Sequence, residues 1–126
     1  MARSFLGFIA LCIGSVGVLY LYDPNLLLAH YELSTGSVGM DNMLRSTYGG
    51  LFLMSSLVFL LGVFVERRRS DALAFVAIFM SGAAIGRLTS SAAVGLPPAS
   101  MMPLLYFEVA ATLIAVALYL RSRQPA

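Results

Sequence analysis

Glu66-Arg67-Arg68-Arg69-Ser70-Asp71 is a short, strongly polar stretch set between two long apolar runs. Upstream, residues 43–65 carry one charge, Arg45; downstream, residues 72–90 carry one, Arg87. Each run has roughly the 20 residues that a helix needs to cross a hydrocarbon core about 30 Å thick. A tight turn holding three arginines between two such runs reads as a hairpin of membrane-crossing helices. The turn stays on the cytoplasmic side, because translocating arginine across the bilayer is unfavourable.

Working outward, residues 4–22 and 102–120 form two more apolar runs. Arg3 precedes the first of them, and Arg121 and Arg123 follow the last. In a four-span chain these clusters fall on the same side as the triple arginine. The expected fold is therefore all-α: an integral membrane four-helix bundle with both termini cytoplasmic. Residues 1–126 form one four-span domain, with spans at about 4–22, 43–65, 72–90 and 102–120. Helices are expected instead of strands because the runs are continuous and lack period-2 alternation.

The linkers fit this orientation. Residues 23–42 carry Asp23, Glu32 and Asp41 with no Arg or Lys; residues 91–101 carry no charge and contain Gly95, Pro97 and Pro98. Tyr20, Tyr22 and Tyr119 fall at the expected membrane–water interfaces. Two readings of residues 25–31 stay open, a short interfacial segment over the outer mouth or an ordinary loop. The first run also resembles a signal peptide. However, Tyr20-Leu21-Tyr22-Asp23-Pro24 lacks the small residues of a cleavage site, which favours an uncleaved anchor.

Composition narrows the classes further. Of 126 residues, 60% are hydrophobic and 11% charged, where a soluble domain carries roughly 25% charged residues. The net charge of +2 is divided among helix ends, so nucleic acid is not an expected partner. The expected partners are the lipid bilayer and a second copy or another subunit of a membrane complex. Cys12 stands alone, which excludes a disulfide within the chain. His30 is the only histidine, and no phosphate-cradling glycine loop, paired-cysteine motif or His-Glu-x-x-His occurs. No metal and no cofactor is expected.

The polar residues inside the runs are the candidate site. Charge within a span usually faces the bundle interior and is paired. From a rise of about 1.5 Å per residue, Arg45, Arg87 and Glu108 all lie in the outer third of the bilayer, within about 10 Å of one another in depth. Asp41 stands at the i,i+4 spacing from Arg45, and Asn42, Tyr48 and Gly49 share its face. Gly82 and Gly86 form a small-xxx-small pattern next to Arg87, of the kind that lets helix backbones approach in lipid. The candidate polar cluster is thus Asp41, Asn42, Arg45, Tyr48, Arg87 and Glu108, with Gly49, Gly82 and Gly86 as helix-packing positions. Two roles stay open for it. One is a charge-neutral latch that fixes helix register. The other is an outward-facing pocket in which both guanidiniums grip a carboxylate or phosphate and Glu108 accepts a proton. Ser55 and Ser56 lack an activating histidine and are expected to bond to their own helix or a neighbour.

Three stretches together resemble the bacterial membrane family known as domain of unknown function 4345. They are Asn42-Met43-Leu44-Arg45-Ser46-Thr47-Tyr48-Gly49-Gly50, then Gly86-Arg87-Leu88 followed by Gly95-Leu96-Pro97, and Tyr106-Phe107-Glu108. The resemblance implies a small four-span protein of the bacterial inner membrane without an assigned activity. It also implies that Asn42, Arg45, Tyr48, Gly49, Arg87 and Glu108 are characteristic positions. The leading expectation is a membrane protein, more readily a binding protein than an enzyme, that takes a small or lipid-like ligand or a membrane partner at the outer cluster. The alternatives are a proton-coupled small transporter working as a homo-oligomer, an intramembrane enzyme using Glu108, and an accessory subunit of a larger complex.

Overall fold

The computed structural model describes residues 1–123. Among them, the chain is helical with no strand. Four helices dominate: Ala2–Tyr22, Val38–Phe64, Glu66–Val94 and Ala99–Ser122. Each is long and apolar enough to cross a membrane.

The helices outrun the apolar stretches that reveal them, for local reasons. The first stops at Asp23, held extended (φ −153°, ψ 108°) ahead of Pro24. The Asp23 carboxylate then accepts from the Asn25 backbone amide at 3.0 Å, and Asn25–Leu28 form one helical turn. So residues 25–31 are helical, not irregular: a 3₁₀ turn, Ala29–Tyr31, continues the segment. It ends at Glu32 in the left-handed region (φ 58°). Thr35 is tied back to it through the Asn25 side chain at 3.0 Å.

The second helix starts at Val38, five residues before the apolar run, because Ser37 caps it by accepting from the Met40 amide at 3.2 Å. Asp41 and Asn42 therefore lie within its first turns. Over Arg45–Leu51 this helix widens to π geometry before returning to α over Phe52–Phe64. The third begins with a 3₁₀ turn, Glu66–Arg68, and runs past Ser90 to Val94, where Gly95 (φ 99°) ends it. In the fourth, a 3₁₀ turn, Ala99–Met101, leads into Met102–Ser122 with Pro103 in the first turn, where its missing amide hydrogen is not needed.

The first and second helices pack closely together, as do the third and fourth; the second and third join these two hairpins. The shared core is Leu6, Ile9 and Ile13, Phe59, Val76 and Met80, with Ala111, Ala115 and Leu118 of the fourth helix. Phe8 meets Phe107 edge-on at 6.4 Å, which brings the first and fourth helices together. Leu6 lies against Gly62, and the Ser122 hydroxyl reaches that of Ser70 at 3.3 Å. The start of the first helix, the end of the fourth and the arginine turn thus share one end of the bundle.

For helices long and apolar enough to lie in hydrocarbon, association brings little hydrophobic gain there, so close backbone approach matters more. The seam between the first two helices shows this. A Cβ on Gly17 would lie 2.8 Å from the Leu53 amide nitrogen and 3.0 Å from the Gly49 carbonyl oxygen. A Cβ on Gly14 would lie 2.7 Å from Ser56 Oγ. That hydroxyl donates across the seam to the Ala10 carbonyl at 2.8 Å, which settles the role of Ser56 in favour of the neighbouring helix.

Candidate functional site

Asp41 and Arg45 of the second helix, Arg87 of the third and Glu108 of the fourth lie toward the end of the bundle away from the arginine turn. Among the described residues their bonds form two pairs, Asp41 with Arg45 and Arg87 with Glu108. No bond joins one pair to the other.

Arg45 is saturated. Its Nε donates to Asp41 Oδ2 at 2.6 Å and its Nη2 to Asp41 Oδ1 at 3.3 Å. Its Nη1 donates to the Leu21 carbonyl and, at 2.9 Å, to the Tyr22 carbonyl. Those are carbonyls of the last turn of the first helix, which has no following turn to bond them and no basic residue of its own. Arg45 therefore caps a helix other than its own and places a cation at the negative end of its dipole. Of the two roles open for the cluster, the latch fits Arg45 better than a shared anion grip with Arg87. One of the two guanidiniums is already occupied by four oxygens.

The π stretch explains how Arg45 reaches them. Widening the helix over Arg45–Leu51 inserts an extra residue into the turn, a distortion common at functional positions. At the same place Gly49 lies against Leu21; a Cβ there would come within 2.8 Å of Leu21 Cγ. Tyr48, in the same stretch, stacks on Tyr20 of the first helix at 5.2 Å and meets Phe52 edge-on. Asn42 is exposed, and its side chain forms no hydrogen bond among the described residues.

The Arg87–Glu108 pair has the opposite character. Glu108 belongs to the buried stripe of the fourth helix with Ala111, Ala115 and Leu118, and only 10% of its side chain is accessible. Both of its carboxylate oxygens accept from one atom, Arg87 Nε, at 2.9 Å each. The two terminal nitrogens of Arg87 donate to nothing among the described residues, and 34% of the side chain is accessible.

The glycine positions divide. Gly49 lies against Leu21. Gly82 and Gly86 have open space over their Cα atoms. Among the described residues they pack against nothing, because the buried stripe of the third helix is Leu73, Val76, Met80 and Ala84. The seam between the first two helices is formed by Gly14 and Gly17, which were not among the expected packing positions. Their signal was present: Gly7, Ala10, Gly14 and Gly17 recur at the three-and-four spacing of one helix face. Beside that seam runs a groove of about 720 Å³, lined by Gly7, Leu11, Ser15 and Leu60 among others. It holds no charged side chain and lies apart from both pairs. His30 is exposed, with its ring edge-on to Tyr31. No group of three or more metal-ligating side chains occurs among the described residues.

An all-helical chain whose four main helices could each span a bilayer, with paired charges at one end, defines the class. Residues 1–119 match the model of the family described as Domain of unknown function (DUF4345), and the chain belongs to that family. No curated protein and no solved structure matches it.

Proposed function

We propose that this chain is an integral protein of the bacterial inner membrane with both termini cytoplasmic. It binds, through Arg87 at the outer face, the anionic group of a small or lipid-borne ligand. One observation carries this reading: Arg87 holds Glu108 through Nε alone and keeps both terminal nitrogens undonated at an accessible position. A guanidinium in that state can receive a carboxylate or phosphate through its remaining fork. Glu108 offsets the charge when the site is empty. Arg45 and Asp41 serve as a latch that holds the wall of the site.

Native mass spectrometry of the detergent-extracted chain tests the binding. Arg87→Gln should remove a bound anionic species that Arg45→Gln retains. Retention of that species in Arg87→Gln would overturn the assignment. Topology is tested separately by a single cysteine at Thr35 in a Cys12→Ala background, which should react with an impermeant maleimide in intact spheroplasts. One at Ser70 should react only after lysis. The reverse pattern would overturn the orientation.

A proton-coupled carrier has one observation in its favour, the nearly buried Glu108 carboxylate with a single cationic partner. On that reading Glu108→Gln abolishes proton-linked uptake in vesicles while the fold persists.

A further inference from the structure

The opposite end of the bundle carries a second candidate site, separate from Arg87. Arg3, Arg67, Arg68, Arg69, Arg121 and Arg123 gather there against only Glu66 and Asp71. The bond between Ser122 and Ser70 brings the end of the fourth helix beside the arginine turn. Arg69 is committed, donating to the Gly62 carbonyl at 3.3 Å and to Glu66 at 3.2 Å. Arg68 is not: its one partner is Asp71 at 3.5 Å, the longest ion pair among the described residues, and 59% of its side chain is accessible.

Arg68 also stands at the mouth of a groove of about 480 Å³. The groove runs between the second and third helices. Its walls are Val58, Leu61, Ala72 and Phe75, and Arg68 and Asp71 are its only charged lining. The mouth itself holds one arginine and one aspartate, but it opens at the end of the bundle where six arginines face two carboxylates; a cleft with an apolar body there has the polarity of an acidic phospholipid, with phosphate at the arginine and an acyl chain along the helices. Basic pockets between membrane helices on the cytoplasmic side receive acidic lipid headgroups in this way. The loose Arg68–Asp71 pair fits an exchange in which the phosphate displaces the carboxylate from the guanidinium.

We infer that the groove between the second and third helices, headed by Arg68, is a binding site for an acidic phospholipid of the cytoplasmic leaflet. Arg67, exposed and without an ion pair among the described residues, adds to the attraction. Asp71 opposes it and sets how readily the lipid leaves.

The test uses the full chain in neutral detergent micelles doped equally with phosphatidylglycerol and phosphatidylcholine of the same acyl chains, read by native mass spectrometry. Wild type should retain phosphatidylglycerol preferentially. Arg68→Gln should reduce that preference about fivefold, the effect of one basic residue near an acidic headgroup. Arg121→Gln removes the same charge at the same end but outside the groove, and should leave the preference within about twofold. Asp71→Asn, a change at an exposed position, should raise the preference, and it gives a reading even where Arg68→Gln does not fold. Leu61→Trp, which fills the groove, should lower retention of both lipids. Equal losses from Arg68→Gln and Arg121→Gln would overturn the site in favour of diffuse attraction. So would a fall with Asp71→Asn, or displacement of the lipid by soluble glycerol phosphate at equal concentration, which would mark a free-phosphate site with no place for the chain. Arg87→Gln should leave all of these results unchanged, so either site can fail without the other.

Discussion

Alanine at Gly17 and alanine at Gly82 should change stability in opposite directions. Both residues lie inside helices, where replacing glycine by alanine gains about 1 kcal/mol of helix propensity. At Gly82 the new methyl group enters open space, so the gain of up to about 1 kcal/mol is kept. At Gly17 it would sit 2.8 Å from the Leu53 amide nitrogen, 3.0 Å from the Gly49 carbonyl oxygen and 3.2 Å from Leu53 Cα. All three atoms are backbone, so no side chain can rotate away and the two helices must separate. Overpacking of this kind costs about 1–3 kcal/mol, which leaves a net loss of up to about 2 kcal/mol after the propensity gain. The two variants should thus differ by about 1–3 kcal/mol, the overpacking cost itself. Reversible unfolding in mixed micelles of mild detergent and SDS, followed by circular dichroism, measures that difference. Equal midpoints would refute the reasoning. A loss at Gly82 alone would mean that its face is covered by another protein and that the seam tolerates a methyl group.

Two further outcomes follow from the charged pairs. Arg45→Gln removes the cap on the first helix and the pair with Asp41, a loss of about 1–2 kcal/mol. Its specific mark is faster amide exchange, about tenfold, in residues 19–23, measured by hydrogen–deuterium exchange. Unchanged exchange there would mean that the Leu21 and Tyr22 carbonyls do not depend on Arg45. For Arg87 and Glu108, a double-mutant cycle with Arg87→Gln and Glu108→Gln should return a coupling of about 1–3 kcal/mol, below that of a fully buried pair because Arg87 is partly screened by its exposure. A coupling near zero would leave the pair without a part in stability.

The long helices were legible because apolar length and arginine placement are properties of consecutive residues. Their starts were less so: Ser37 caps the second helix several residues before its apolar run begins, and hydropathy does not see a cap. The Asp41–Arg45 spacing and the common depth of Arg87 and Glu108 were readable in the same way. That Arg45 turns to the Leu21 and Tyr22 carbonyls was not, since backbone acceptors on another helix leave no trace in residue identity. The π stretch shares this difficulty, with only the adjacent Gly49 and Gly50 to hint at it. Gly82 and Gly86 drew attention as a pattern, but a pattern does not tell which side of a helix its neighbour takes. Gly14 and Gly17 are identified by what stands opposite them.

During synthesis, the first helix leaves the ribosome with the oxygens of its final turn still bound to water. The guanidinium that replaces that water is encoded more than twenty residues later, on the next helix to emerge. Until it arrives, the lower-energy place for the end of the first helix is the wet interface, not the apolar interior. On the membrane reading proposed above, the first two helices would then settle as one insertion unit, and a stall between them would leave the nascent chain holding an unfinished anchor.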